Sequence, residues 1–236
     1  MVAVVFGVSG GIGRALAEGL VARGEGPVVG FSRRAATPIP GVEHHRCDIT
    51  DDAEIAAAAD AVKVAGVPML VIVATGILSD GDQLQPEKTY RHQSMAAFET
   101  VFRANTFGPA LLAKHFIPLM PRKDRGVFAA LSARVGSISD NRMGGWHAYR
   151  ASKAALNMLV RNFAIEQARR NPHFVAVGLH PGTVDTALSE PFQGGVPETQ
   201  LFTPAQSAAK LLDVIDKLTP DHSGQVLDHA GEIVPV

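Results

Sequence analysis

Two residues in this chain stand at a spacing that suits proton transfer: Tyr149 and Lys153, in the run Tyr149-Arg150-Ala151-Ser152-Lys153. The stretch has helical character, and a four-residue separation places both side chains on one helix face. A free phenol, with a pKa of about 10, is a poor base at neutral pH, but a neighbouring ammonium favours the phenolate. The pair therefore reads as an acid/base couple that exchanges a proton with a substrate oxygen. Alone, a Tyr-x-x-x-Lys pair is only a helix-face contact; its weight comes from what precedes it.

What precedes it is an anion-binding signature. Val2 to Phe6 reads as an apolar strand and runs directly into Gly7-Val8-Ser9-Gly10-Gly11-Ile12-Gly13, followed by a helical pattern. Glycines there permit a tight turn and a close approach of backbone to a pyrophosphate, whose charge the helix N-terminus holds. Gly7, Ser9, Gly11, Ile12 and Gly13 are the candidate contacts of a dinucleotide. At the end of the next strand stands Phe31-Ser32-Arg33-Arg34, without the carboxylate that would bind a ribose 2′-hydroxyl. Arg33, with Arg34 beside it, suits a 2′-phosphate instead, so the cofactor expected is NADP (NADPH), with NAD the less favoured choice. With such a cofactor, hydride moves to or from the nicotinamide while Tyr149 relays the proton.

The elements that must position these groups alternate along the chain. Strand candidates are Val2 to Phe6, Pro27 to Phe31, Met69 to Ala74, Gly126 to Leu131 and Phe174 to Leu179; helix candidates are Gly11 to Arg23, Asp51 to Ala65, Met95 to Leu119, Trp146 to Arg170 and Pro204 to Leu218. The strands are continuous apolar runs, as expected where helices cover both faces of a parallel sheet. The pattern predicts an α/β fold: a single doubly wound Rossmann-type domain over residues 1–236, with a parallel sheet of about seven strands and helices on both faces. Two irregular stretches, 79–93 and 188–202, are expected to form a substrate wall or lid, with Phe192 and Phe202 either as apolar lid residues or as core anchors.

Composition narrows the partners. A net charge of −1 over 236 residues offers no broad attraction to nucleic acid or an anionic membrane, which leaves a small-molecule substrate. One cysteine, Cys47, allows no intramolecular disulfide and suits a reducing compartment; it reads as a small buried hydrophobe. The opening MVAVVFG lacks the layout of a secretory signal, and the apolar run Val67 to Ala74 is too short to span a bilayer, so the expected location is cytoplasmic. None of the histidines shows a metal-ligand pattern, so no metal is expected. His44-His45 read as surface residues before a strand, and His147 stands with Trp146 either as pocket lining or as packing at a helix start.

Taken together, these motifs resemble the short-chain dehydrogenase/reductase superfamily over essentially the whole chain. Gly7, Gly11 and Gly13 match its Gly-x-x-x-Gly-x-Gly loop, Asp48 its adenine-contacting acid, and Asn105 lies in Asn-Thr-Phe-Gly. Tyr149 and Lys153 match its active-site pair, and Pro181-Gly182-Thr183-Val184-Asp185-Thr186 its nicotinamide-side loop. Pro86-Glu87-Lys88, Gly136-Ser137-Ile138 and the segment from Gly224 to Pro235 further resemble its C-factor-like carbonyl reductase branch. The resemblance implies that Lys153 also binds the nicotinamide ribose and that Asn105 holds a water behind Lys153. It further implies that Thr186, with the Val184 backbone, anchors the carboxamide. It also implies a homodimer or homotetramer through helices near 95–119 and 146–170, where Ala151, Ala154, Ala155, Leu156 and Leu159 suit close contact.

Two segments depart from that pattern. The family's Asn-Asn-Ala-Gly is here Val73-Ala74-Thr75-Gly76, which keeps a glycine past the adenosine ribose, with Ala74 and Gly76 as cofactor contacts, but loses an amide. Its substrate-steadying serine is the second of Ser-Ser-x-x-Gly, whereas this chain reads Ser132-Ala133-Arg134-Val135-Gly136. Ser132 is one residue early, on the opposite face of a regular strand, though at an irregular strand end Ser132, Ser137 or Ser139 are the candidate replacements. Ser132 is the first choice. The reading is an NADP-dependent oxidoreductase that interconverts a carbonyl compound and an alcohol. The alternative is a cofactor-binding regulatory or signalling protein with impaired catalysis.

Overall fold

Every residue of Val2–Phe6 (β1) is buried, and the alternation of strand side chains explains why: Val2, Val4 and Phe6 enter one core, Ala3 and Val5 another. The computed structural model describes residues 2–34, 36–194 and 197–235, so Gly195 and Val196 of the predicted loop 188–202 lie outside the described residues. The further strands are β2 (Val28–Ser32), β3 (Val42–Arg46), β4 (Pro68–Val73), β5 (Gly126–Leu131), β6 (Phe174–His180), β7 (Thr183–Val184), β8 (Leu201–Phe202) and β9 (Val226–Asp228). Seven form one parallel sheet in the order β3-β2-β1-β4-β5-β6-β9, and β7 pairs with β8.

Helices cover both faces. On one, α1 (Gly11–Ala22) and α6 (Pro204–Asp216) bury Leu16, Leu20, Leu211 and Ile215 against Val5, Ile72 and Val177. On the other, α2 (Asp52–Ala65), α4 (Gly108–Phe116) and α5 (His147–Ala168) bury Ile55, Leu112, Phe116, Leu156 and Val160 against Phe6, Phe31 and Phe128. The strand order reverses between β1 and β4. Both neighbours of β1 then carry their connections away from one another, which opens a crevice at the carboxyl ends of the strands. The loops after β1, β2, β4 and β6 hold the glycine run, Arg33, Thr75-Gly76 and Pro181-Gly182.

Three features differ from the sequence reading. Residues 95–119 are not one helix: α3 (Met95–Phe102) passes into a π-helical turn, Arg103–Phe107, before α4, and Ile117–Leu119 closes as a 3-10 turn. His44 and His45 lie within β3, not before it; this edge strand, VEHHR, has too few apolar residues to show a strand signal. Leu156 faces the sheet, buried, so it cannot serve a helix contact between copies; the exposed apolar residues nearby are Phe107, Met158 and Ile165. Among the described residues no helix is long and apolar enough to cross a membrane.

Candidate active site

Helices α2, α3 and α6 begin under the side chains of Asp51, Ser94 and Thr203, which accept hydrogen bonds from their first amides. Helix α1 begins after Gly10 with no such cap. Its first amides and positive dipole end are left for an anion. The glycines around it do different work. Gly7, at φ +97°, takes a conformation that side chains rarely adopt, and an added Cβ would stand 2.9 Å from the Ala74 carbonyl oxygen. A Cβ on Gly10 would meet only the Gly7 oxygen, at 3.4 Å, which leaves that side open to a ligand. A Cβ on Gly13 would collide with the Gly7 carbonyl, 2.7 Å from its carbon, so this glycine lets the helix rest on the turn. Gly13→Ala is therefore expected to cost about 1–3 kcal/mol of stability by overpacking and to weaken dinucleotide binding. Urea unfolding and calorimetric titration of the variant check both.

A cleft of about 360 Å³ runs from this loop past Ser9, Arg33, Asp48, Ala74 and Gly76 to Arg103. Burial opposes ionisation of Asp48, but hydrogen bonds from Thr50 and the charges of Arg33 and Arg46 outweigh it and hold the carboxyl below its ordinary range. Thr75 Oγ1 is buried in the cleft wall without a protein partner. A cradle of uncapped amides, an orphaned hydroxyl and a cation beside an acid fit a nicotinamide dinucleotide. At the other end, a Cβ on Gly11 would touch Thr186 Cγ2 at 3.0 Å, so the Pro181–Thr186 segment closes against the glycine loop. Ser207 Oγ donates to the Pro181 oxygen at 2.9 Å and fixes that segment. Val184 is buried in β7, and Gly182, at φ +80°, packs against the Phe202 ring.

The π-helical turn carries Asn105, fully buried. Its Oδ1 accepts from the Ile77 amide at 2.8 Å, while Nδ2 donates to the Ile77 carbonyl at 2.9 Å and to Ser152 Oγ at 3.2 Å. Ser152 Oγ in turn donates to the Tyr149 carbonyl at 2.7 Å, and Thr106 Oγ1 to the Ser152 carbonyl at 2.9 Å. An extra residue in a helix, as in other π-bulges, turns a side chain out of the regular ladder, and here that side chain ties β4's exit loop to α5. Both amide protons of Asn105 are engaged by protein groups, which makes it an anchor. Ser152 was not among the expected site residues, although it lies inside the Tyr149 to Lys153 run.

Tyr149 and Lys153 are both buried, with Lys153 Nζ 5.8 Å from the centre of the phenol ring and donating to the Leu131 carbonyl at 2.8 Å. Burial sets the electrostatics of the two side chains, whereas the expected lowering of the tyrosine draws on a positive nicotinamide ring as well as the ammonium. Burial pushes the Tyr149 phenol up to about 12 and the Lys153 ammonium down to about 8, because both charged forms lose water. Desolvation outweighs a charge held at that separation.

A stability prediction follows for Lys153. The unfolded chain keeps the lysine proton up to its ordinary 10.5, whereas the native state releases it near 8. Between those values the native state binds fewer protons, so stability rises with pH. Cys47, whose thiol burial pushes up to about 12 from 9.0, works in the opposite direction as the unfolded thiol ionises toward pH 9, and offsets a smaller part of the gain. The gain between pH 8 and 9 is expected to be roughly 1 kcal/mol and to vanish in Lys153→Met. Urea midpoints of the two proteins at both pH values measure it.

The Ser132 hydroxyl is committed to a protein partner. Its Oγ donates to Asn157 Oδ1 on α5 at 2.6 Å, 4% exposed, as the face alternation of β5 dictates. Ser137 is buried and accepts from the Asp140 amide at 3.0 Å, and Ser139 is exposed. The Ala133 methyl instead packs into the cluster around Tyr149, with Leu78, Leu84, Val135, Trp146 and Phe192. Phe192 meets Trp146 edge-on at 5.1 Å, but Phe202 packs on His229, away from this cluster. His147 opens α5 half-buried.

Helix α5 has an unusual start. Gly144, Gly145 and Trp146 all have positive φ, and Trp146 is the one such non-glycine residue among those described. The turn is gripped by Glu87, only 5% exposed: its carbonyl accepts from the Trp146 amide at 2.6 Å, and its carboxylate accepts from the Ala148 amide at 3.2 Å. Glu87 thus caps the helix from sixty-one residues away. It stood out in the sequence only as part of a resembling segment.

A doubly wound parallel sheet, an uncapped glycine loop at its switch point and a buried Tyr/Lys pair beside that cleft define an oxidoreductase of the dinucleotide-binding class. A family model described as short chain dehydrogenase matches residues 1–195, and the chain belongs to that family. C-signal of Myxococcus xanthus is 39% identical over 134 residues, 57% of this chain and 75% of that one. An oxidoreductase of Schizosaccharomyces pombe is 29% identical over 253 residues, covering 98% of this chain and 96% of that one. The NADPH-bound carbonyl reductase from chicken fatty liver superposes with a TM-score of 0.84 at 25% identity, over 100% of this chain and 94% of that one.

Proposed function

We propose that this oxidoreductase reduces a ketone or aldehyde, or oxidises the corresponding alcohol, with NADP(H), and that residues 1–236 act as one catalytic unit. The observation that carries the reading is the buried Tyr149/Lys153 pair, whose Lys153 Nζ would lie 3.7 Å from a Cβ on Gly76, next to a cleft whose wall includes Gly76 and Arg33 and suits a 2′-phosphorylated dinucleotide. A bound nicotinamide supplies or accepts the hydride. At neutral pH the Tyr149 phenol keeps its proton, which makes it the acid that a carbonyl oxygen needs during reduction. Lys153 is held to the Leu131 carbonyl beneath it, and Asn105 and Ser152 fix the helix turn on which Tyr149 stands. The apolar wall of Leu78, Leu84, Trp146 and Phe192 excludes water and suits a substrate without charge near the reacting carbon. The cofactor contacts we assign are Gly7, Ser9, Gly11, Ile12, Gly13, Arg33, Asp48, Ala74, Gly76, Pro181, Gly182, Val184 and Thr186, with Asn105, Tyr149 and Lys153. The NADPH-bound carbonyl reductase of chicken fatty liver supports this reading.

Steady-state oxidation of NADPH with a panel of carbonyl compounds tests it. Turnover of at least one above a Tyr149→Phe control is expected, and none for any would overturn the proposal. A second reading, a cofactor-binding signalling protein with slow chemistry, draws on the Ala133 methyl where a hydroxyl is needed, since one missing donor costs about 10²- to 10³-fold in rate. Ala133→Ser separates the two: a large rise in turnover favours the signalling reading, an unchanged rate the enzyme. Assembly as a dimer or tetramer through the exposed Phe107, Met158 and Ile165 side is also proposed, with light scattering as its test.

A further inference from the structure

We infer that His44 is a positioning residue for the turn that carries Arg33 and thereby sets how strongly the protein prefers NADP over NAD; the inference rests on the NADP reading above. Ser32, the last residue of β2, is buried, and its Oγ donates to the Arg34 carbonyl at 2.6 Å. A hydroxyl has one proton to give. With that proton committed, the 2.7 Å contact between Ser32 Oγ and His44 Nε2 requires the imidazole to donate. A directed chain results: His44 Nε2–H to Ser32 Oγ–H to the Arg34 carbonyl.

The fold places its members. Gly30 pairs with His44 in the parallel register, so Ser32, two residues on, presents its side chain on the same face as the imidazole. His45 points the other way and stacks on Phe31 at 5.6 Å. Arg33 is thus bracketed: the residue before it is fixed by His44 and by the Cys47 amide on the Ser32 carbonyl, at 3.0 Å, and the residue after it by the Ser32 hydroxyl. The Arg33 side chain is itself exposed at the cleft edge, so the backbone beneath it decides where the guanidinium can reach. Of the two cofactors, only NADP presents a phosphate to that position. Loosening the turn weakens NADP binding and leaves NAD binding alone, which a role in folding alone would not do.

The test is calorimetric titration of the ligand-free protein with NADP and with NAD. His44→Phe is expected to weaken NADP binding about three- to tenfold, the loss of one neutral hydrogen bond, with NAD affinity unchanged. Ser32→Ala is expected to do the same, and the double variant no more than either. His44→Gln, which presents an amide donor near the Nε2 position, is expected to restore the ratio. Variants that keep the wild-type ratio, or that weaken both cofactors equally, overturn this inference while leaving the NADP reading intact. A wild-type protein that binds both cofactors equally overturns the NADP reading and this inference with it.

Discussion

Tyr149→Phe is expected to lower kcat by about 10²- to 10⁴-fold, the range supplied by a positioned general acid, with NADPH affinity within a few-fold of wild type. The substitution deletes one oxygen and keeps the ring that packs against Trp146 and Lys153, so the fold has no reason to change. What is lost is the proton that must reach the carbonyl oxygen as hydride arrives. Since burial raises the phenol to about 12, Tyr149 is protonated throughout the neutral range, and the reductive rate is expected to stay flat from pH 6 to 7, below the range near 8 in which Lys153 loses its proton. Single-turnover oxidation of NADPH, followed at both ends of that range, measures both effects. A variant that turns over at the wild-type rate would remove Tyr149 from the chemistry.

Arg33→Asp is expected to reverse the cofactor preference. In the wild type, one charge-assisted contact to a 2′-phosphate, worth about 1.5–3 kcal/mol, corresponds to roughly ten- to a hundredfold tighter NADP. The aspartate removes that partner, repels the phosphate and offers an acceptor to the NAD ribose, so the ratio swings by about 10²-fold or more. Arg34→Ala is expected to do much less, because the part of Arg34 that the structure engages is its carbonyl, which alanine keeps. Dissociation constants of both cofactors for the three proteins decide it; equal binding by the wild type would refute the assignment of Arg33.

Much of the fold was legible because its signals are local. The period of apolar residues marked five strands and five helices, and the glycine run needed only its position between a strand and a helix to be read as an anion site. The missed β3 illustrates the limit. VEHHR has no apolar run because an edge strand has one neighbour and its side chains are only partly buried; pairing with β2, not composition, makes it a strand. The π-helical turn at Arg103–Phe107 was equally invisible, since it arises where Asn105 bonds Ile77, twenty-eight residues away.

The sequence by itself determined the doubly wound α/β class, the spacing that puts Tyr149 and Lys153 on one face, and the presence of arginine at the end of the second strand. Each depends on residues within a turn or two of one another. Only the tertiary structure decided that Ser132 bonds Asn157 and that Ala133 packs against the cluster that contains Tyr149. It also decided that burial raises Tyr149 and lowers Lys153, that Glu87 holds the start of α5, and that His44 reaches Arg34 through Ser32. Face, burial and hydrogen-bond partner are set by chain segments far apart in sequence, and these quantities exist only once the sheet has brought those segments together.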